Sequence, residues 1–316
     1  MVASSERNPY IVGVGAANVD IHGRSRNAVN LRDSNPGTMR VSVGGVTRNI
    51  LENAARLGLD ARLVSAVGGD LFGQLILSRS REAGMNVENV LVLPDAASST
   101  YMTVLEPSGE MFVALSDMSI LAQLPERYLA ERAPLLQGAS AIVSDPSLPE
   151  ETIVRLLALA GKTPVFVDPV STAYARKLLP HVGQFHTVKP NRMELAILAE
   201  MDTEDDAALK PAIARLLEKG CRRVYVTLGP EGCCYGDASG LFLRAKLRPI
   251  EAMENATGAG DAFTAATVYG HVHALAPEET LNLALAAGSV AIRSAETVSP
   301  AMSVEALFET VARDRL

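Results

Sequence analysis

The residues with the clearest chemical use stand near the end of the chain, in Asn255-Ala256-Thr257-Gly258-Ala259-Gly260-Asp261-Ala262-Phe263. The stretch Ala262 to Val272 is rich in Ala and Thr and reads as a buried helix, which sets Gly258, Ala259 and Gly260 at its N-terminus. Backbone N–H groups there lack intrahelical partners, and the helix dipole adds partial positive charge, so the position suits an anion. Asp261 stands beside it. A carboxylate next to an anion hole suits a base that deprotonates a hydroxyl as it attacks a phosphoryl group. The structural alternative is an Asp that only stabilises the helix dipole.

Four further groups carry weaker signals, each with a plain structural alternative. Asn18 and Asp20 sit where a central strand is expected to end, and crevices at such carboxyl ends hold ligands in open α/β sheets. The pair could grip hydroxyls, or be a turn Asn and a solvated Asp. Gly44-Gly45 precede a helix carrying Thr47, Arg48 and Asn49. Two glycines let a ligand approach the backbone closely, although a loop-to-helix turn uses them as well. Lys189-Pro190-Asn191-Arg192-Met193-Glu194 opens another helix. Asn191 and Glu194 share a face at i, i+3, suited to holding the waters of Mg²⁺ or to a capping box. Val224 to Leu228 followed by Gly229-Pro230-Glu231-Gly232 reads as a strand and a tight turn. Thr227, Gly229 and Gly232 there could face phosphates or merely form a hairpin.

Other classes are excluded. Gly13-Val14-Gly15 with Asp33 beyond it imitates a dinucleotide fingerprint, but Asn18 stands where the third glycine is needed. No Walker loop, protein-kinase catalytic loop or Gly-x-Ser-x-Gly elbow occurs. The charge balance of 29 Lys and Arg against 36 Asp and Glu argues against nucleic-acid binding, which needs a basic face. Cys221, Cys233 and Cys234 lack metal-ligand spacing and read as inert thiols of a reducing compartment. No apolar run reaches the ~18 residues of a membrane span. A cytoplasmic protein with a loose start, Met1 to Asn8, is expected.

The elements that must position these residues alternate. Tyr10–14, 19–22, 62–67, 141–144, 164–168, 187–189 and 223–228 are short apolar runs of strand type, with helices expected over 48–57 and 71–83. Such alternation implies a mostly parallel α/β sheet covered on both faces. Residues 23–43, centred on Asp33-Ser34-Asn35-Pro36-Gly37, and 99–116, turning at Glu106-Pro107-Ser108-Gly109, break the rhythm. They suggest a small discontinuous β-lid over one end of the sheet. The division expected is a large α/β domain of 10–20, 44–95 and 119–316, with 21–43 and 96–118 as the lid.

Taken in order, these motifs resemble the carbohydrate-kinase family that includes ribokinase, fructokinase and adenosine kinase, over about residues 10–312. The carriers are Asn18-Val19-Asp20, Gly44-Gly45 with Asn49, Asn191-x-x-Glu194, Thr227-x-Gly229-x-x-Gly232 and Gly258-Ala259-Gly260-Asp261. The resemblance implies a ribokinase-like fold and ATP-dependent phosphorylation of a sugar hydroxyl. It implies Asp261 as base, an anion hole at Gly258 to Asp261, and Glu194 with Asn191 placing Mg²⁺ through water. Some family members bind K⁺ beside the anion hole, where Asn255 and Thr257 align. Within the family, Asp33 to Gly37, Gly44-Gly45-Val46-Thr47-Arg48-Asn49, Ser116-Asp117-Met118 and Val167-Asp168-Pro169-Val170-Ser171 are similar to the pseudouridine kinase branch. That branch implies phosphorylation of a ribose 5′-hydroxyl, with lid residues Asp33, Ser98, Thr100 and Asp117 pairing with the uracil edge. Another nucleoside, or ribose or fructose, is the alternative acceptor. A non-catalytic binder on the same fold is disfavoured by the intact Gly-Ala-Gly-Asp run. Exposed lid strands offer an edge for a homodimer.

Overall fold

The computed structural model describes residues 9–248 and 254–314; the loose start expected for Met1 to Asn8 lies outside them. In chain order the strands are β1 (Tyr10–Val14), β2 (Asn18–Ser25), β3 (Gly37–Gly44), β4 (Asp60–Gly68), β5 (Asn86–Leu93), β6 (Thr100–Leu105), β7 (Met111–Asp117), β8 (Ala141–Ser144), β9 (Val165–Val167), β10 (Thr187–Val188), β11 (Arg223–Thr227), β12 (Cys233–Asp237) and β13 (Phe242–Ala245). Among the described residues nine of them form one sheet, ordered β13-β12-β11-β10-β9-β8-β1-β4-β5. All neighbours from β11 to β5 are parallel, and β12 and β13 add antiparallel at one edge. Strands of this sheet are short and apolar because helices cover both faces; every residue of β1, β8, β9 and β10 is buried. No helix of the described residues is long and apolar enough to cross a membrane.

The remaining four strands form a small sheet, ordered β3-β2-β6-β7. This corrects one expectation. Residues 18–20 do not close a central strand: β1 ends at Val14, and Asn18 already pairs with Gly44 as the first residue of β2. The polar Asn18, Asp20 and His22 alternate with Val19 and Ile21, which pack against the core cluster around Ile50 and Leu51. That period of two belongs to a strand with one apolar face, not to one buried on both.

Glycine serves packing at β1. A Cβ on Gly13 would collide with Leu51 and Thr47, and one on Gly15 with Thr47 and Asp145. The two glycines let the helix Val46–Arg56 lie directly on the strand, the close-packing role rather than a cofactor loop. The helix Leu71–Glu82 starts at Asp70, whose carboxylate accepts the Gly73 N–H.

Candidate active site

Four adjacent parallel strands, β8 to β11, deliver a polar residue at or just past the carboxyl end. Asp145 follows β8, Asp168 follows β9, Lys189 follows β10, and Thr227 ends β11. Adjacent strand ends therefore line up four such groups along one edge of the large sheet, the place where open α/β sheets bind ligands.

Asp145 is fully buried and organises the first loops. Its Oδ2 accepts from Ala16 N (2.9 Å), Thr47 N (3.2 Å) and Thr47 Oγ1 (2.6 Å). This carboxylate caps the Val46–Arg56 helix from a distant strand, since Gly45 has no side chain to do so. Gly45 has φ 101°, and a Cβ there would lie 2.5 Å from the Ala16 carbonyl. A Cβ on Gly44 would strike the Asp20 carboxylate, so both glycines exist for close approach. Asn18 Nδ2 donates to Asp20 Oδ1 (2.7 Å), and burial raises the Asp20 carboxyl against the pull of Asn18, His22 and Arg48.

The helix Ala259–Val272 begins at Gly258, with φ 83° and no side-chain cap. Gly258 lies against the Thr297 carbonyl. One turn in, Asp261 is buried and accepts from Asn49 Nδ2 at 3.0 Å. This bond joins the two halves of the site, 212 residues apart in sequence. Burial and then the negative Asp168 push the Asp261 carboxyl up to about 7; Asn49 and Lys189 pull the other way, and Asp145 adds to the rise. A carboxyl poised there is matched to proton transfer near neutral pH.

Lys189 and Asp168 form a buried ion pair at 2.6 Å, and Thr264 Oγ1 of the same helix donates to Asp168 at 3.2 Å. A Cβ on Gly260 would meet Lys189 Nζ at 2.9 Å, so this ammonium stands at the helix N-terminus. Burial opposes its charge, but Asp168, Glu194 and Asp261 outweigh burial and hold it above the usual lysine range. Free amides and a buried cation thus converge beside Asp261, a fit for a phosphoryl group.

Asn191 and Glu194 form the capping box in full: Asn191 Oδ1 accepts from Glu194 N (2.9 Å) and Glu194 Oε2 from Asn191 N (2.8 Å). Glu194 Oε1 has no hydrogen bond among the described residues. Burial and then Asp168 raise the Glu194 carboxyl. Thr227 N donates to the Pro190 carbonyl at 3.0 Å, so this cap lies beside the β11–β12 hairpin. There Gly229 (φ 59°) faces open space and Gly232 (φ 87°) closes the turn. Asn255 accepts from Thr257 N at 2.9 Å and reaches the Ala295 carbonyl at 3.4 Å; both residues of this loop are at least partly exposed.

The base-edge set comes apart. Asp33 lies in the exposed 26–36 loop, beyond Ser25, at the end of β2 opposite Asn18, about 23 Å along the strand. Ser98 is buried and committed: its hydroxyl donates to Asp70 Oδ1 (2.6 Å) and accepts from Gly68 N (2.9 Å), which ties the small sheet to the Leu71–Glu82 helix. Asp117 is exposed and caps the following turn through Ser119 N. Thr100 and Asp117 do pair in register at the Asn18 end of the small sheet, since Thr100 is also opposite Val19. Sequence reasoning gave no role to Asp145, Asp168 or Lys189; the available signal was a lone charged residue directly after a short apolar run.

A doubly covered parallel sheet with a small second sheet and a Gly-Ala-Gly-Asp helix start defines a phosphotransferase fold of the carbohydrate-kinase type. The model of the pfkB family carbohydrate kinases matches residues 8–303, and the chain belongs to that family. It is 35% identical over 303 residues to the pseudouridine kinase of Escherichia coli (strain K12), covering 96% of each chain. It is 27% identical to a guanosine-inosine kinase of Exiguobacterium acetylicum, over 90% of this chain and 95% of that one. The Arabidopsis thaliana ribokinase structure with ribose and ATP superposes with a TM-score of 0.88 at 22% identity, covering 96% of this chain and 99% of that one.

Proposed function

We propose that this chain transfers the γ-phosphoryl group of ATP to the ribose 5′-hydroxyl of a nucleoside, with pseudouridine as the favoured acceptor. The observation that carries the transfer is the Asn49–Asp261 hydrogen bond: one carboxylate adjoins both the helix-start amides and the Gly44-Gly45 segment with Asn18 and Asp20. Pseudouridine is favoured because the E. coli pseudouridine kinase is 35% identical over nearly the full length.

In this reading Asn18, Asp20 and the Gly44-Gly45 turn hold the ribose, under the small sheet as a lid. Asp261 accepts the 5′-hydroxyl proton while that oxygen bonds to the γ-phosphorus and the bond to the β–γ bridging oxygen breaks, releasing ADP. Amides at Gly258 to Asp261 and the Lys189 ammonium stabilise the charge on the transferring group. Thr227, Gly229 and Gly232 flank the nucleotide phosphates. Glu194 and Asn191 would hold Mg²⁺ through waters, and the ion supplies charge neutralisation on those phosphates.

Glu194→Gln separates that role from capping. It is expected to lower turnover and raise the Mg²⁺ concentration for half-maximal rate. An unchanged Mg²⁺ dependence, with only about 1 kcal/mol lost in a thermal melt, leaves Glu194 as a cap.

The acceptor is tested by ATP consumption with pseudouridine, uridine, adenosine, ribose and fructose. Pseudouridine carries an N–H on the ring edge that uridine lacks, and a buried acceptor left unpaired costs about 1–3 kcal/mol. At least ~10-fold preference in kcat/KM for pseudouridine over uridine is expected. Equal rates, or preference for ribose or fructose, would overturn pseudouridine and leave phosphotransfer standing.

A further inference from the structure

We infer that Arg48 is a positioning residue for phosphoryl transfer, fixing the Asn49 carboxamide so that its Nδ2 faces Asp261. The inference rests on the reading of Asp261 as the base.

Arg48 is buried at 1% exposure. Each of its three nitrogens has a partner: Nε donates to Ser80 Oγ (3.2 Å), Nη1 to Asn49 Oδ1 (3.1 Å) and Nη2 to Glu52 Oε2 (2.6 Å). Glu52 is held in turn by Arg56 through Oε1 (2.8 Å). A guanidinium only donates and a carboxylate only accepts, so the two neighbours of Asn49 dictate one amide orientation. Oxygen must face Arg48 and nitrogen must face Asp261.

Without Arg48 the amide is free to turn over. Its oxygen would then face the Asp261 carboxylate, repel the ionised base and favour the protonated form. Burying an arginine is costly, and apolar side chains often replace buried ion pairs without loss of stability. Glu52 keeps Arg56 when Arg48 is removed, so a neutral replacement does not orphan it. Stability alone therefore gives little reason for an arginine here. The charged groups that act on Asp261 stay in place: Asp145, Asp168 and Lys189. Besides its partner Glu52, Arg48 favours the charge of Asp20 on β2, so a change in sugar binding must be separated from a change at the base.

The test is a double-mutant cycle of Arg48→Met and Asn49→Ala, with kcat, KM and the pH dependence of kcat measured on ATP and pseudouridine. Arg48→Met is expected to lower kcat about tenfold and move the acid limb of kcat to higher pH. In the Asn49→Ala background the same change should cost less than twofold, because no amide remains to orient. Equal costs in both backgrounds, or an unmoved acid limb, would overturn the inference. Should Arg48→Met fail to fold, Arg48→Lys carries the same cycle, since an ammonium cannot span Ser80, Asn49 and Glu52 at once. Failure of the base reading looks different: Asp261→Asn would keep its turnover whatever Arg48 does.

Discussion

Replacing Asp261 by Asn is expected to lower kcat by roughly 10²–10⁴-fold, the usual contribution of a general base, while KM for the nucleoside changes little. Shape is kept, and Asn49 still has an oxygen to donate to. What is lost is the ability to take a proton. The wild-type enzyme should show the matching pH signature. Only the ionised form of Asp261 is a base, and burial with Asp168 puts that carboxyl at about 7. Turnover should therefore fall as pH drops through 7, about tenfold per unit once well below it. In Asp261→Asn this limb should vanish from the residual rate. A variant with near-normal turnover would remove Asp261 from the chemistry.

Gly258→Val is expected to cost on the order of 10²–10³-fold in kcat, the scale of losing an oxyanion-hole donor. Gly258 has φ 83°, and a Cβ there collides with the Thr297 carbonyl. The backbone must shift, and the amides that follow it shift too. Gly240→Ala is the control: its φ is 89°, yet open space surrounds the added Cβ. That change should cost about 1–2 kcal/mol of stability from left-handed strain and leave kcat intact. Thermal melts with steady-state kinetics on both variants separate strain from damage to the anion hole. Normal turnover in a folded Gly258→Val would remove the helix start from the mechanism.

The site was legible in the sequence where its residues are local. Gly258 to Asp261 form one helix start, and Asn191 with Glu194 one helical turn, so spacing alone fixes their geometry. The alternation of short apolar runs and helices likewise exposes a parallel sheet. Pairings across the chain were not legible. Nothing in the types of Asn49 and Asp261 says that they meet. Asp145, Asp168 and Lys189 are single charged residues, and only the strand order sets them side by side. Ser98 and Asp117 show a second limit. A hydroxyl or carboxylate near a sheet end looks the same in sequence whether it meets a ligand or satisfies a backbone amide, as these two do. The place of residues 18–20 is not legible because Val19 and Ile21 read as core strand, while the partners that draw β2 into the small sheet lie up to about eighty residues away.

Proton-coupled ³¹P NMR of the enzyme with ATP, Mg²⁺ and pseudouridine tests the central claim most directly, because it reads both the transfer and the acceptor oxygen. The account expects loss of the γ-phosphate signal, ADP, and one new phosphomonoester split into a triplet by the two 5′ protons, all forming roughly 10²–10⁴-fold more slowly with Asp261→Asn. A doublet from a ring hydroxyl, inorganic phosphate alone, or unchanged ATP would contradict it.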